Sequence, residues 1–306
     1  MMCEMALATR KIPRAYRPLH STYGGDKMQV FLDTFLQHHV SQLSVDQEMR
    51  GVIKRYFMPL LAYRLQDITP LMVEEWFHGI GKHSHSQANK SLSILRTMFE
   101  KAKDWRLFTG DNPAFRVKKY PRYARTRFVQ EEEMPKLMEA LSREREDVQC
   151  FFLLCLLTGC RRGEAIALKW QDLDFNRCVW HKPRTKTGIP HIVPVPTSLI
   201  VRMGQLPRTN EWVFATPSKR GHWSVTLTHT RWDAIRKTAN LGDVTIHDLR
   251  RTCASWLAIS GENIALISKG VLNHTTLANT GIYTRLNVSP VAKALEANRL
   301  RMVGVR

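Results

Sequence analysis

Long apolar runs and paired cysteines are both missing from this chain of 306 residues. Its most apolar run, Cys150 to Leu157, is far shorter than the about 20 residues that a membrane-spanning helix needs. The N-terminal segment lacks the apolar core that a secretory signal peptide requires. The 6 cysteines include no CxxC pair, which favours reduced thiols over a disulfide framework. These absences predict a soluble, cytoplasmic protein without a membrane partner.

Acidic residues are scarce, because 27 Asp and Glu stand against 46 Lys and Arg and leave a formal net charge of +19. Such an excess predicts a polyanionic partner, and nucleic acid is the first candidate. Glycine and proline number only 16 and 14, while 43% of the residues are hydrophobic. This composition supports folded cores and excludes disordered and collagen-like chains.

The chain divides into segments by composition and periodicity. Residues 1–26 are basic and show no hydrophobic period, so they are interpreted as a flexible arm, with or without a role in binding. Residues 27–119 show helical periodicity and are predicted to form an all-α domain. Residues 120–128 are predicted to be a basic linker, and residues 129–306 to be a second domain.

Cations in the first domain and the linker are predicted to contact phosphates. The segment from Ser84 to Trp105 places its apolar residues on one helical face and its cations largely elsewhere. Residues 116–127 add further cations without one acidic residue, although a solvated tether is the alternative reading. The predicted DNA contacts are Lys90, Arg96, Lys101, Arg116, Lys118, Lys119, Arg122, Arg125 and Arg127.

The second domain is predicted to be helical at both ends, up to about Lys169 and again from Thr226 to near Arg299. Between these parts, short β-branched and aromatic runs separated by turn residues predict strands over 172–175, 178–181 and 192–195. The expected fold class is mainly α with a small antiparallel β-sheet.

Two patterns near the middle of the chain carry residue types suited to phosphate chemistry. Arg161 and Glu164 lie three residues apart at a predicted helix start, a spacing that surface ion pairs also use. Lys186 lies at the tip of a predicted hairpin, in a Thr-Lys-Thr-Gly turn. A solvated turn lysine has the same appearance, so neither pattern is specific alone.

Two further patterns lie nearer the C-terminus. His247 and Arg250 share one turn of a predicted helix, within the run HDLRRT. His274 follows Leu-Asn, and Tyr283 follows His274 by nine residues. A structural histidine or a packed tyrosine explains each pattern taken singly.

In combination, the patterns resemble the tyrosine recombinase (phage integrase) family. Its signature runs in the same order: an Arg with an acid three residues on, a hairpin Lys, H-x-x-R, a His in an L-G-H context and a Tyr nine residues later. The resemblance covers about residues 127–299, and residues 27–119 are similar to the family's helical core-binding (SAM-like) domain. The implied architecture is an all-α core-binding domain followed by an α+β catalytic domain. Asn273 departs from the pattern, because Gly is usual there.

The resemblance implies a role for each matching residue. Two arginines clamp the scissile phosphate, two histidines bind its oxygens or move protons, the lysine protonates the leaving 5′-hydroxyl, and the tyrosine is the nucleophile. The implied catalytic set is Arg161, Lys186, His247, Arg250, His274 and Tyr283, with Glu164 in support.

The implied chemistry needs neither a metal nor another cofactor. Guanidiniums supply permanent charge and paired donors to phosphate oxygens. A tyrosine phenol, with an ordinary pKa of about 10, requires a base that accepts its proton. The resulting 3′-phosphotyrosyl link stores the bond energy, so rejoining requires no ATP. Asp172 and Asp174 are interpreted as turn residues rather than metal ligands.

The family habit also implies partners and a biological role. The expected partners are double-stranded DNA, further copies forming a tetramer on two DNA sites through the C-terminal tail, and an accessory DNA-bending or directionality protein. The predicted function is integration and excision of a mobile element or prophage, in association with the nucleoid. Alternatives are Xer-like resolution of chromosome dimers, relaxation by a type IB topoisomerase-like enzyme, and a catalytically silent DNA-binding protein of the same fold.

Overall fold

The computed structural model describes residues 27–43, 45–122, 125–183, 190–274 and 280. The chain divides into two compact units, Met1–Ala124 and Arg125–Arg306. The described residues are mainly helical, and the second unit contains a three-stranded antiparallel sheet. The predicted fold class is confirmed.

The described part of the first unit is entirely helical apart from its connections. Its helices are α1 (Met28–His38), α2 (Asp46–Tyr56), the single turn α3 (Met58–Leu61), α4 (Pro70–Gly81) and α5 (His85–Asp104). Helix α4 starts as its sequence predicts: the Thr69 hydroxyl accepts a hydrogen bond from the Met72 N–H at 3.3 Å, and Pro70 occupies the first helical position. Helices α4 and α5 pack against each other over a shared aromatic and aliphatic core.

Asn89 and Tyr120 hold the end of the first unit. The fully buried Asn89 donates from Nδ2 to the Tyr120 carbonyl at 2.9 Å and accepts the Tyr120 N–H at 2.8 Å. The Tyr120 ring stacks on Phe77 at 4.7 Å and on His85 at 4.0 Å between ring centroids. The first residue of the predicted linker is therefore fixed to α4 and α5.

The second unit is built around one central helix. Its helices are α6 (Met134–Ser142), α7 (Glu146–Thr158), α8 (Arg162–Ile166), α9 (Thr197–Gly204), α10 (Val225–Thr238) and α11 (Ile246–Ile259), followed by a π-helical segment (Leu266–Val271). Helix α7 is apolar on most sides because α9 and α11 both pack against it.

The small sheet has the strand order β1-β2-β3. Its strands are β1 (Leu173–Asp174), β2 (Val179–Lys182) and β3 (His191–Pro194), each within one residue of the predicted limits. The register pairs Trp180 with Val193 and Lys182 with His191. The one-residue shift of β2 brings Lys182 into the strand.

One stripe of α11 binds the beginning of the second unit. The Asp248 carboxylate accepts a hydrogen bond from Arg125 Nε at 3.0 Å. The Thr252 hydroxyl accepts the Val129 N–H at 2.9 Å, and the Trp256 indole donates to the Val129 carbonyl at 3.0 Å. The helix that carries the H-x-x-R pattern therefore also anchors the C-terminal end of the predicted linker.

Within the described ranges, no helix is both long enough and apolar enough to cross a membrane. The predicted arm over residues 1–26 lies outside the described residues. So do the predicted hairpin tip within residues 184–189 and the predicted helical tail beyond Tyr283.

Candidate active site

Arg250 connects three of the four sequence patterns. This arginine of α11 is only 4% exposed, and its guanidinium donates from Nη1 to the carbonyl of Gly159 and from Nη2 to that of Leu272. Gly159 lies two residues before Arg161, and Leu272 lies two residues before His274. One buried guanidinium thus holds two segments that are distant in the chain.

Gly159 forms the turn that connects α7 to α8. Gly159 ends α7 with φ +60°, a left-handed conformation that glycine adopts with little strain. Its left-handed backbone also presents the carbonyl that Arg250 binds. Arg161 follows at the N-cap of α8, where its side chain is 32% exposed.

Glu164 holds both the main chain and the side chain of Arg161. Glu164 Oε1 accepts a hydrogen bond from Arg161 Nη1 at 2.8 Å, and Oε2 accepts the Arg161 backbone N–H at 3.1 Å. The spacing of three residues brings the two side chains together within the first turn of α8. The carboxylate therefore restricts where the guanidinium can point.

The turn before His274 accounts for Asn273. Asn273 has φ +47°, a left-handed conformation that glycine adopts most easily and that Asn tolerates better than most residues. Lys269 Nζ donates to the His274 carbonyl at 2.8 Å, and His274 Nδ1 lies 2.8 Å from Thr280 Oγ1. Asn273 thus adopts a left-handed turn, a conformation open also to glycine, directly before the imidazole.

The two histidines lie among positive charges. Burial, followed by the charges of Arg250 and Arg161, lowers the pKa of His274 to about 4. Burial, followed by Arg251 and Arg250, also lowers the pKa of His247. Both imidazoles are therefore largely neutral at neutral pH. In that form, each has one nitrogen that can accept a proton.

Lys182 belongs to this site, although the sequence analysis did not select it. Its side chain is 5% exposed, with Nζ 2.7 Å from Glu164 Oε2 and 4.1 Å from the centroid of the Trp180 ring. Burial tends to raise the pKa of Glu164, but Lys182 and Arg161 outweigh it and hold that pKa at about 2. The strand alternation could have indicated Lys182, because residues two apart share a face and Trp180 is apolar.

His191 is a second residue that the sequence analysis missed. It lies opposite Lys182 in the sheet, and its Nε2 lies 2.9 Å from the Gly270 carbonyl. Burial lowers the pKa of His191, so the neutral ring donates from Nε2 to this carbonyl. The contact joins β3 to the segment that precedes His274. A histidine at a strand end carries no local signal for such a role.

Two members of the predicted catalytic set, Lys186 and Tyr283, lie outside the described residues. The described set therefore consists of two arginines, two histidines and the supporting Glu164. Lys186 and Tyr283 stay predictions from the sequence pattern.

Arg96, one of the predicted DNA contacts, binds carbonyl groups of its own unit. Its Nε donates to Ala114 at 2.9 Å, and its Nη2 donates to Phe115 at 3.0 Å and to Val117 at 2.6 Å. These bonds hold the chain that follows α5 against that helix.

Four more of the predicted DNA contacts form ion pairs. Lys90 pairs with Glu48, Lys101 with Asp104 at 2.8 Å, Arg125 with Asp248 at 3.0 Å, and Arg127 with Glu133 at 2.6 Å and Asp243 at 2.8 Å. A paired cation contributes less net charge towards DNA than one without a nearby carboxylate.

The remaining predicted DNA contacts are exposed and have no ion pair within the described residues: Arg116, Lys118, Lys119 and Arg122. Burial, followed by the charges of Arg96 and Arg122, lowers the pKa of Lys119. Cations are therefore concentrated at this end of the first unit.

Among the residues that the structure describes, no three His, Cys, Asp or Glu side chains form a group that could hold a metal ion. Asp174 instead accepts the N–H groups of Asn176 at 3.0 Å and Arg177 at 2.9 Å, which makes it a turn residue.

Comparison with known proteins shows which family the chain resembles in sequence. The model of the Phage integrase family matches residues 127–289, more than half of the chain. The integrase of Escherichia phage P2 is 27% identical over 221 residues, which cover 71% of this chain and 60% of that integrase. The tyrosine recombinase XerA of Pyrococcus furiosus is 25% identical over 218 residues, which cover 69% of this chain and 76% of XerA.

The matched part spans less than two thirds of the phage relatives. It covers 60% of the P2 integrase and 48% of the Salmonella phage P22 integrase, to which the chain is 28% identical over 194 residues, 58% of its own length.

The fold also has a solved counterpart. A crystal structure of a lambda integrase dimer bound to a COC′ core site matches with a TM-score of 0.67 and 17% identity, covering 83% of this chain and 97% of that chain. The family model, the relatives and the shared fold agree, and this chain belongs to the phage integrase (tyrosine recombinase) family.

Proposed function

We propose that this chain is a site-specific DNA recombinase that cuts and rejoins strands through a 3′-phosphotyrosyl intermediate. The observation that carries the proposal is the bonding of Arg250 to the Gly159 and Leu272 carbonyls. Through these bonds, the segments that carry Arg161 and His274 are held beside α11. Phosphate chemistry requires such a gathering of donors.

In the proposed reaction, the arginines stabilise the transition state. Attack at a phosphodiester adds negative charge to the non-bridging oxygens of phosphorus. Arg161 and Arg250 offer permanently charged donors to those oxygens. By analogy with the removal of oxyanion-hole donors, each well-aimed group contributes about 3–4 kcal/mol.

The proposed cleavage is a transesterification, in which each phosphoester bond that breaks is replaced by another, so no external energy source is needed. The Tyr283 oxygen forms a bond to phosphorus as the bond from phosphorus to the 5′-oxygen breaks. The phenol proton passes to a neutral imidazole, His247 or His274, and Lys186 supplies a proton to the 5′-oxygen. A 5′-hydroxyl of another strand then reverses the step, so that one phosphoester replaces another throughout.

The proposed partner is double-stranded DNA. The exposed cations Arg116, Lys118, Lys119 and Arg122 are the favoured phosphate contacts in the first unit. Four copies are proposed to assemble as a tetramer on two DNA sites, through the tail beyond Tyr283. An accessory DNA-bending or directionality protein is proposed to assist them.

Integration and excision of a mobile element or prophage is the favoured role, supported by the similarity to the P2 integrase. Resolution of chromosome dimers is the second candidate, because XerA is similar at nearly the same identity. Plasmid assays separate the two. Recombination between two different sites supports integration, while recombination restricted to two copies of one site supports resolution.

Covalent capture tests the chemistry. The protein is incubated with a pool of nicked duplexes that carry a randomised central segment, and adducts that resist SDS are recovered and sequenced. We expect the wild-type chain to form such an adduct on a selected duplex. Tyr283→Phe should abolish the adduct while DNA binding persists.

Each contrary outcome has a definite meaning. An adduct in the Tyr283→Phe variant identifies a different nucleophile. DNA binding without any adduct in the wild-type chain would instead support a catalytically silent DNA-binding protein. Relaxation of a single plasmid without strand exchange would favour a topoisomerase-like activity.

A further inference from the structure

Lys182 lies buried in contact with the carboxylate that holds Arg161. Its Nζ is 2.7 Å from Glu164 Oε2, and its side chain is 5% exposed. We infer that Lys182 is a positioning residue for DNA cleavage, which acts through Glu164 on the orientation and the available charge of Arg161. The inference rests on the proposed function, in which Arg161 binds the scissile phosphate.

A buried ammonium requires compensation. Removing a lysine from water is costly unless a partner offsets the lost hydration. Glu164 supplies the opposite charge, and the Trp180 ring, itself buried, lies 4.1 Å from Nζ as a cation–π partner. A simple packing role would be served equally well by an apolar side chain at this strand position.

One carboxylate serves two cations in this arrangement. Glu164 Oε1 receives Arg161 Nη1 at 2.8 Å, whereas Oε2 receives both the Arg161 backbone N–H at 3.1 Å and Lys182 Nζ at 2.7 Å. Two positive charges and one negative charge leave a net positive charge at the cluster. Arg161, at 32% exposure, is the member that solvent or DNA can reach.

Removal of Lys182 would change how Arg161 is held. Glu164 would then face Arg161 as its only cationic partner among these three residues. A guanidinium drawn fully onto a carboxylate offers less charge and fewer suitably directed donors to a phosphate. The ion pair also joins β2 to the turn that begins α8, so its loss would loosen the attachment of β2 to the segment that carries Arg161.

The chain provides a matched control. Lys169 Nζ also lies 2.7 Å from a carboxylate, that of Glu211, and 4.6 Å from the centroid of the Trp212 ring. This pair is more exposed than that of Lys182, at 29% for Lys169 and 58% for Glu211, and it includes neither Arg161 nor Glu164. Lys169→Met therefore removes the same chemical contacts away from the site.

The experiment compares the wild type with five variants: Lys182→Met, Lys182→Arg, Glu164→Gln, the double variant that combines Lys182→Met with Glu164→Gln, and Lys169→Met. For each protein, the rate of adduct formation at saturating nicked duplex, the DNA affinity and the urea unfolding transition are measured. The duplex is one selected by the wild-type chain in the capture experiment.

We expect Lys182→Met to slow adduct formation by about tenfold or more, because small displacements of a phosphate ligand have large effects on rate. DNA affinity should change by less than about twofold, since the phosphate contacts outside the site remain. Lys182→Arg should recover most of the rate, and Lys169→Met should match the wild type. In the Glu164→Gln background, loss of Lys182 should produce no further decrease.

Several results would overturn the inference. A folded Lys182→Met variant that cleaves at the wild-type rate would show that Arg161 does not depend on Lys182. Equal losses in the wild-type and Glu164→Gln backgrounds would show that Lys182 does not act through Glu164. If Lys182→Met does not fold, a rate for Lys182→Arg as low as that for Glu164→Gln would contradict the inference, and recovery would support it.

Failure of the proposed function is distinguishable from failure of this inference. If the wild-type chain forms no adduct, the proposed function fails and this inference fails with it. If the wild-type chain forms the adduct and the Lys182 variants behave like Lys169→Met, only the inference about Lys182 is wrong.

Discussion

Arg125 Nε lies 3.0 Å from a carboxylate oxygen of Asp248, and Asp248 is fully buried. Arg251 pairs with the same carboxylate, and the Thr245 N–H donates to it at 2.8 Å. Asp248 follows His247 directly in the first turn of α11. The carboxylate thus fixes the helix start that presents this imidazole, and it does so with a cation from the beginning of the second unit.

Asp248→Asn should destabilise the second unit strongly. The substitution removes the charge of a fully buried carboxylate that accepts hydrogen bonds from Arg125 and Arg251, which are themselves partly exposed. A loss of about 1.5–3 kcal/mol in the free energy of unfolding is therefore expected. Asp243→Asn is the control, because Asp243 also pairs with a linker arginine, Arg127, but is 62% exposed. Asp243→Asn should lower the free energy of unfolding by less than about 1 kcal/mol. Urea denaturation measures both, and similar losses would contradict the role given to Asp248.

Substitutions of Arg250 and Arg161 should differ in how much they lower the free energy of unfolding. Arg250→Lys cannot bond the Gly159 and Leu272 carbonyls together, so a loss of about 1.5–3 kcal/mol in the free energy of unfolding is expected. Arg161→Lys retains an ion pair with Glu164 at a partly exposed site and should lose less than about 1 kcal/mol. Both variants should form adduct at least about 100-fold more slowly. Equal stability losses, or wild-type cleavage by either variant, would count against these assignments.

His274 should make the free energy of unfolding depend on pH. Its pKa falls from 6.5 to about 4 on folding, because burial and nearby cations oppose its protonated form. Between these values, the unfolded chain binds the proton and the folded chain does not. The stability that depends on a neutral His274 is therefore fully present above pH 6.5, and it is lost as the pH falls towards about 4.

Comparison with His274→Asn isolates this contribution. The variant should lose less stability than the wild type over the same pH interval, since it lacks the imidazole whose protonation opposes folding. An NMR titration should show that the His274 ring protonates well below the ordinary histidine range. A His274 pKa close to 6.5 would contradict the charged neighbourhood described above.

Cations without an ion pair should dominate the salt dependence of DNA binding. Arg116→Ala and Lys118→Ala should each reduce the slope of log affinity against log salt by about 1 if each contacts one phosphate. Arg127→Ala is the comparison, because Arg127 binds Glu133 and Asp243. Arg127→Ala should lower the free energy of unfolding, and it should change the slope of log affinity against log salt less than Arg116→Ala or Lys118→Ala does. Fluorescence anisotropy over a salt series measures the slope, and a larger change for Arg127→Ala would reverse the assignment.

Chelation should leave cleavage intact. The charge that the proposed transition state requires comes from Arg161 and Arg250, whose guanidiniums are positive without a metal. Adduct formation on the selected nicked duplex is therefore expected to be the same with and without EDTA. A strict requirement for Mg²⁺ would show that the arginines do not suffice.

Local features of the chain were predictable to within a residue or two. The Thr69–Pro70 helix start and the three strands depend on caps, turn residues and side-chain alternation, which act over a few neighbouring positions. Two of the spacings that resemble the family are local as well, since Arg161 and Glu164 share one turn of α8 and His247 and Arg250 share one turn of α11. The conformation of Asn273 is different, because nothing in its neighbours required a φ of +47°.

The partners of the charged residues were decided by the fold. Arg125 and Asp248 are 123 residues apart in the chain, and Lys182 and Glu164 are 18 apart. In the sequence, Arg125 and Arg127 look like Arg116 and Lys118, yet the first two bind carboxylates of the second unit and the latter two have no ion pair among the described residues. The sequence shows that the chain is basic, its periodicity predicts helices, and the spacing of its motifs resembles the family whose model it matches. Which cation meets which carboxylate depends on how distant segments pack, because an ion pair or a buried hydrogen bond forms only when folding brings both groups within a few ångströms.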